Sequence, residues 1–260
     1  MKQCEPELTL WDWLAQDSNA HYLDFIEKTG GAQGDYEIKP ITNIDTNKPY
    51  SKWEANFIDW ISANRATVRK SQYNEPQYKP ELFQHMNGLS SEVGFNRLNT
   101  TDYSWGVFDQ HNDELKIMLG GKWAFKRMKV RYDCALVRLL VQMPGHFQPW
   151  HFDTMSSWAE TYPLLNPHIV TEDELVERVA DGESVYDMAD EHYCDEGKIV
   201  RRLVCVSEWS TGHMIELEKS FFPNWSAGDV FDIPACIWHL SANAGVDLKI
   251  TAIVTGIEDD

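Results

Sequence analysis

The sequence predicts an α+β chain that is mainly β, with a helical N-terminal region leading into short strands arranged as a sandwich or barrel. Three observations carry this. Apolar residues in the first third recur at helical spacing, and from about residue 104 the pattern turns to β-rich runs divided by glycine turns. The chain has 260 residues, enough for one large domain with a substantial core.

The helical elements come first. Leu8, Leu10, Trp11 and Leu14, then Tyr22, Leu23, Phe25 and Ile26, keep helical spacing up to a stop at Gly30-Gly31. A second segment, Trp53 to Val68, sets Phe57, Ile58, Trp60 and Ile61 on one face, and a third follows Pro80 with Leu82, Phe83, Met86 and Leu89. The Asn/Pro/Tyr-rich stretches 39–51 and 71–80 between them read as ordered loops.

The strands follow. Ala135–Met143 is a β-rich run closed by Pro144-Gly145, and Arg201–Ser207, Met214–Leu217, Asp229–Ile233 and Leu248–Val254 repeat the pattern. Turns at Thr211-Gly212, Ala227-Gly228 and Ala244-Gly245 separate them, which favours a sandwich or barrel over a βαβ sheet. Between the strand runs, Thr171 and Glu174 form a capping box for a short helix that Gly182 can end.

Composition narrows the function classes. With 43% hydrophobic and 25% charged residues the chain is globular, which excludes disorder, collagen-like repeats and coiled coil. A net charge of −18 repels a phosphate backbone, so nucleic acid is not an expected partner. The N-terminus shows no apolar secretory segment and no run reaches membrane-spanning length. The five cysteines are scattered without a C-x-x-C pair, so neither a disulfide framework nor a thiolate zinc site is expected, and the cytoplasm is the expected location. The charge is uneven: residues 156–197 hold one basic and 12 acidic side chains, which marks them as an insertion or lid.

The chemistry concentrates in Pro144-Gly145-His146-Phe147-Gln148-Pro149-Trp150-His151-Phe152-Asp153. Strand residues two apart share a face, so His151 and Asp153 aim an imidazole and a carboxylate at one point. A third donor, His239, opens the strand that follows Gly228-Asp229 and Pro234. Two histidines and one carboxylate on a facial triangle leave positions open on a metal, the arrangement of non-haem Fe(II) oxygenases.

On these residues the chain resembles the Fe(II)/2-oxoglutarate-dependent oxygenase superfamily, whose H-x-D…H pattern sits on a double-stranded β-helix (jelly-roll, cupin-like) core. The resemblance covers roughly residues 134–155 and 200–256, and the Pro144-Gly145 turn is similar to the prolyl-hydroxylase-like or aspartyl-hydroxylase-like branch. It implies one oxygenase domain over 1–260: a helical buttress to 130, core strands at 131–155 and 198–256, and the acidic segment between. It also implies Fe(II) on His151, Asp153 and His239, with 2-oxoglutarate and O₂ as co-substrates. Lys249, ten residues after His239, would pair with the distal 2-oxoglutarate carboxylate with help from Thr251, since a lysine in an apolar strand needs an anionic partner. Lys249 stands where an arginine is commoner, so Arg138 and Arg202 remain rival anchors. The implied reaction is hydroxylation of an unactivated C–H on an amino acid, peptidyl side chain or small metabolite, with no membrane partner; a basic or zwitterionic substrate suits the acidic field.

Other readings stand beside this one. A cupin-like protein that binds a metal or small molecule without oxygenase turnover uses the same strands, and a purely structural interaction domain is a third possibility. His146 reads as a loop residue, while His168, His192 and His213 carry no assigned role. Lys122, Lys126, Arg127, Lys129 and Arg131 read as a solvated basic face. Oligomeric state is not legible in the sequence.

Overall fold

A computed structural model describes residues 40–44, 56–60, 63, 69–70, 105–107, 112–142, 147–151, 153–217, 220–222, 224–237, 239–243 and 245–259. Two antiparallel sheets form the framework. The larger contains β1 (Pro40–Asn43), β2 (Arg69–Lys70), β3 (Trp105–Val107), β4 (Leu136–Gln142), β7 (Gly197–Cys205), β10 (Asp229–Asp232) and β12 (Lys249–Ile257), with β6 (Tyr193–Cys194) joined to β7. Its order is β1-β10-β7-β12-β4-β3-β2. The smaller sheet holds β5 (Phe147–His151), β8 (His213–Leu217), β9 (Ser220–Phe221) and β11 (His239–Asn243), in the order β5-β11-β8-β9.

Strand β12 explains how the larger sheet serves two cores. It lies between β4 and β7, and all nine of its residues are buried. Ile250, Ala252 and Val254 face helices α1 (Asn112–Met118) and α2 (Gly121–Met128), packing with Leu115, Leu119, Phe125 and Met128. Lys249, Thr251 and Ile253 take the opposite face by the two-residue period of a strand. Their neighbours on that face are Gln142, Leu140 and Arg138 of β4, and Cys205 and Leu203 of β7. The space between the sheets is filled by Leu203, Ile215, Leu217, Phe222, Trp225, Phe231 and Ile253. Ile250 and Ala252 thus turn away from Lys249, as their sequence positions predict.

Several expectations need correction. Residues 40–43, read as loop, form a strand because the edge of β10 offers them a partner, with Pro40 opposite Phe231 and Asn43 opposite Asp229. Strands were expected from about residue 104, yet 112–128 are two helices joined through Gly120, whose φ of 117° suits glycine. Residues 56–60 and 63 are helical as predicted, but only Phe57 is buried; Ile58, turned one residue around the helix, is exposed. The helices predicted over 8–26 and 82–89, and the turn Pro144-Gly145, lie outside the described residues.

The acidic segment is anchored rather than draped. It folds into α3 (Ser156–Thr161), α4 (Glu172–Ala180) and α5 (Val185–Ala189). The predicted cap is present: Thr171 Oγ1 accepts from Glu174 N at 3.2 Å, and Gly182, at φ 93°, follows the helix end. Trp158, Val170, Leu175, Val185 and Met188 pack with Leu136, Ile199, Ala235 and Ile257 of the framework. The segment's one basic residue, Arg178, binds Glu174, Glu183 and Glu191 and so gathers part of the local negative charge. Among the described residues no helix is long and apolar enough to cross a membrane.

Candidate functional site

Strands β5 and β11 pair antiparallel with His151 opposite His239 in the Cα register. Two residues beyond His151, the Asp153 carbonyl accepts from Cys236 N at 2.9 Å, which ties the turn before β11 to the segment after β5. Cys236 holds a left-handed φ of 66° in that turn, a local strain compensated by the surrounding packing. The result is that Asp153 Oδ2 lies 3.4 Å from His239 Nε2. Sequence spacing grouped these residues, and the backbone register and this distance bring them to one end of the small sheet. Among the described residues no three His, Cys, Asp or Glu side chains converge; His151 is described by its backbone alone.

The donor chemistry fits a divalent cation. His239 Nδ1 lies 2.9 Å from the Ile237 carbonyl, an acceptor that makes Nδ1 the donor there, and Nε2 faces the Asp153 carboxylate. Two electron-pair donors that face each other call for a cation between them or a proton on Nε2. A backbone carbonyl that fixes the far nitrogen is the support a metal-binding imidazole uses.

Arg201 completes this cluster and is the residue that sequence reasoning missed. Its Nη2 donates to Asp153 Oδ2, its side chain is 7% exposed, and its Nη1 is buried with no hydrogen-bond partner among the described residues. Leaving such a donor unfilled costs about 1–3 kcal/mol. The expected rival Arg202, next in sequence, points the other way: it pairs with Asp232 and Glu258 and donates Nε to the Met128 carbonyl at 3.2 Å. Those partners give it a structural role on the helix side of the sheet, so it is not an anchor for a ligand between the sheets.

Lys249 crosses that inter-sheet space. Its Nζ donates to Gln142 Oε1 at 2.9 Å, to the Met214 carbonyl at 2.7 Å and to Ser241 Oγ at 2.5 Å. Ser241 is two residues after His239 on β11, so the amine reaches the strand that carries the candidate ligand. All three acceptors are neutral. Burial therefore pulls the Lys249 pKa down to about 7. Thr251 is buried beside it, opposite Leu140 and Cys205, and Arg138 is half-buried opposite Ile253 on the same face.

His213 lies between Ser210 N and the Asp247 carbonyl and stacks on Trp225, and His168 stacks on Tyr193. His192 is fully buried, its pKa lowered to about 4 by desolvation. Lys122, Lys126, Arg127 and Lys129 are exposed, with Arg127 hydrogen-bonded to the Asn43 carbonyl. Of the basic run, Arg131 is half-buried and pairs with Asp133 and Glu196. His146 lies outside the described residues.

No protein-family model and no curated protein sequence matches the chain. Among solved structures it is similar to a prolyl-4-hydroxylase from Pseudomonas putida, at 9% identity and TM-score 0.38, over 92% of this chain and 98% of that one. It is also similar to the non-heme alpha ketoglutarate dependent epimerase SnoN from nogalamycin biosynthesis, at 10% identity and TM-score 0.42, over 92% and 84% of the two chains. A third is the viral collagen prolyl hydroxylase from Paramecium Bursaria Chlorella virus-1, at 9% identity and TM-score 0.31, over 68% and 89%. The functional reading rests on the geometry of the site.

Proposed function

We propose that the chain is a non-haem Fe(II)- and 2-oxoglutarate-dependent dioxygenase on a double-stranded β-helix core, hydroxylating an unactivated C–H of an amino acid, peptidyl side chain or small metabolite. The observation that carries this reading is the 3.4 Å approach of His239 Nε2 to Asp153 Oδ2 with His239 Nδ1 committed to the Ile237 carbonyl. His151, Asp153 and His239 would hold the metal, and Lys249 the distal carboxylate of 2-oxoglutarate. When bound, the metal and the oxo acid supply the O₂ chemistry that no protein side chain can.

The chain's own residues do the rest. Gln142 and Ser241 aim the Lys249 amine, and Thr251 lies beside it. An arriving carboxylate supplies the missing counter-charge and raises the Lys249 pKa, so the cation forms as the ligand binds. Arg201 orients the Asp153 carboxylate, while Leu203, Leu217 and Phe231 keep water out of the space between the sheets. A cytoplasmic location is supported by four buried cysteines that are free thiols, Cys134, Cys194, Cys205 and Cys236.

The cupin-like alternative uses the same donors but has no use for a buried, neutral-partnered lysine, and Lys249 therefore favours the oxygenase. Anaerobic addition of Fe(II) and 2-oxoglutarate to the metal-free protein should develop a weak visible charge-transfer band, and air should then yield succinate. Absence of both sinks the oxygenase reading. Persistence of the band in His239→Ala and Asp153→Ala sinks the ligand assignment.

A further inference from the structure

We infer that Arg201 is a binding point for a ligand carboxylate beside Asp153 and His239, an inference that rests on the metal-site reading above and extends it. The guanidinium is buried, yet among the described residues only part of its donor set is used: Nη2 goes to Asp153 Oδ2 while Nη1 has no partner. Since both nitrogens belong to one rigid fork, the open donor lies next to the oxygen that faces His239 Nε2. Asp153 takes a hydrogen bond from Nη2 alone, so the buried Nη1 still calls for an acceptor, which a second carboxylate would supply. One carboxylate group answers that need with a single local charge, whereas a phosphate dianion meets stronger repulsion from Asp153.

The surroundings agree. Arg138, Lys249 and Arg201 all project from the sheet face that looks between the sheets, and Asp153 is the acid that meets Arg201 there. Three basic side chains therefore turn toward this space although the chain carries −18. Net charge alone suggests a basic or zwitterionic substrate; the buried Arg201 guanidinium selects a ligand that brings a carboxylate to this point.

The test uses ¹³C-carboxyl acetate with the full-length, metal-free protein, following the line width of the carboxyl resonance. Wild type should broaden it, Arg201→Gln should weaken the apparent affinity at least tenfold, and Arg201→Lys should restore part of it. Equal broadening by wild type and Arg201→Gln, or none by wild type, overturns the inference. Asp153→Asn guards against a variant that fails to fold: by removing the competing carboxylate it should tighten acetate binding, and no tightening overturns the inference as well. Saturating 2-oxoglutarate separates the two sources of the carboxylate. Displacement of acetate assigns the point to 2-oxoglutarate and persistence assigns it to a separate substrate, and both support the site. A parallel Co(II) titration of wild type keeps the two readings apart, because acetate binding without Co(II) binding sinks the metal site alone.

Discussion

Lys249 Nζ meets Ser241 Oγ at 2.5 Å, joining the central strand of the large sheet to the strand that His239 opens. This contact carries a buried amine to within two residues of a candidate metal ligand, and its energetics can be tested directly.

The Lys249 pKa falls from 10.5 in the unfolded chain to about 7 in the folded one because burial penalises the charge. The unfolded state then binds more protons between these values, so stability rises with pH from about 7 to 10.5, by up to about 1.4 kcal/mol per unit. Urea unfolding at pH 7, 8 and 9 should show this rise in wild type and a flatter profile in Lys249→Met. Identical profiles would mean that the amine keeps its charge in the fold.

On the proposed function, removing an acceptor should weaken 2-oxoglutarate binding and spare metal binding. Gln142→Leu deletes the Oε1 that receives Lys249 Nζ at 2.9 Å and Ser241 Oγ at 2.8 Å. The expected outcome is a roughly tenfold weaker 2-oxoglutarate affinity, the loss of about 1.4 kcal/mol that one charge-assisted hydrogen bond can supply. Co(II) affinity should stay unchanged, and a parallel loss of both would tie Gln142 to the metal site.

Glu216 titrates in the opposite sense. It is buried on β8, opposite Leu240 of β11, and desolvation lifts its pKa from 4.5 to about 7. The folded state binds the extra proton, so this contribution is whole below pH 4.5 and is lost as pH rises through about 7. Glu216→Gln should match wild type near pH 4.5 and exceed it at pH 8 by up to about 3 kcal/mol. Chemical denaturation at the two pH values reads the difference.

Trp158 tests whether the acidic segment is integral. It is 1% exposed and donates Nε1 to the Cys134 carbonyl at 2.8 Å. Trp158→Ala should cost about 3–5 kcal/mol, with a single cooperative transition by both circular dichroism and fluorescence. A separate early transition would make residues 156–197 a detachable lid.

Legibility in the sequence varied with how local each feature is. The Thr171 cap and the alternation of Lys249 and Thr251 against Ile250 and Ala252 depend on neighbours a few residues apart, and they stand as read. The tandem Arg201-Arg202 shows the limit. Alternation dictates that one arginine faces each way, but which one enters the space between the sheets depends on the register that sets Arg201 opposite Thr255 and Arg202 opposite Val254. Parity with Leu203 and Cys205 was the available clue, and it means nothing until that face is known to be interior.

Sequence alone therefore determined the β-rich class, the uneven acidity and the grouping of His151, Asp153 and His239 as candidates, because periodicity, composition and spacing are properties of the chain. Tertiary structure decided the partners: a strand from 40–43 at the edge of β10, Arg201 on Asp153, and neutral acceptors around Lys249. Those contacts join residues dozens of positions apart. Only strand pairing and the packing of one sheet on another bring them within hydrogen-bonding reach, so no local pattern encodes them.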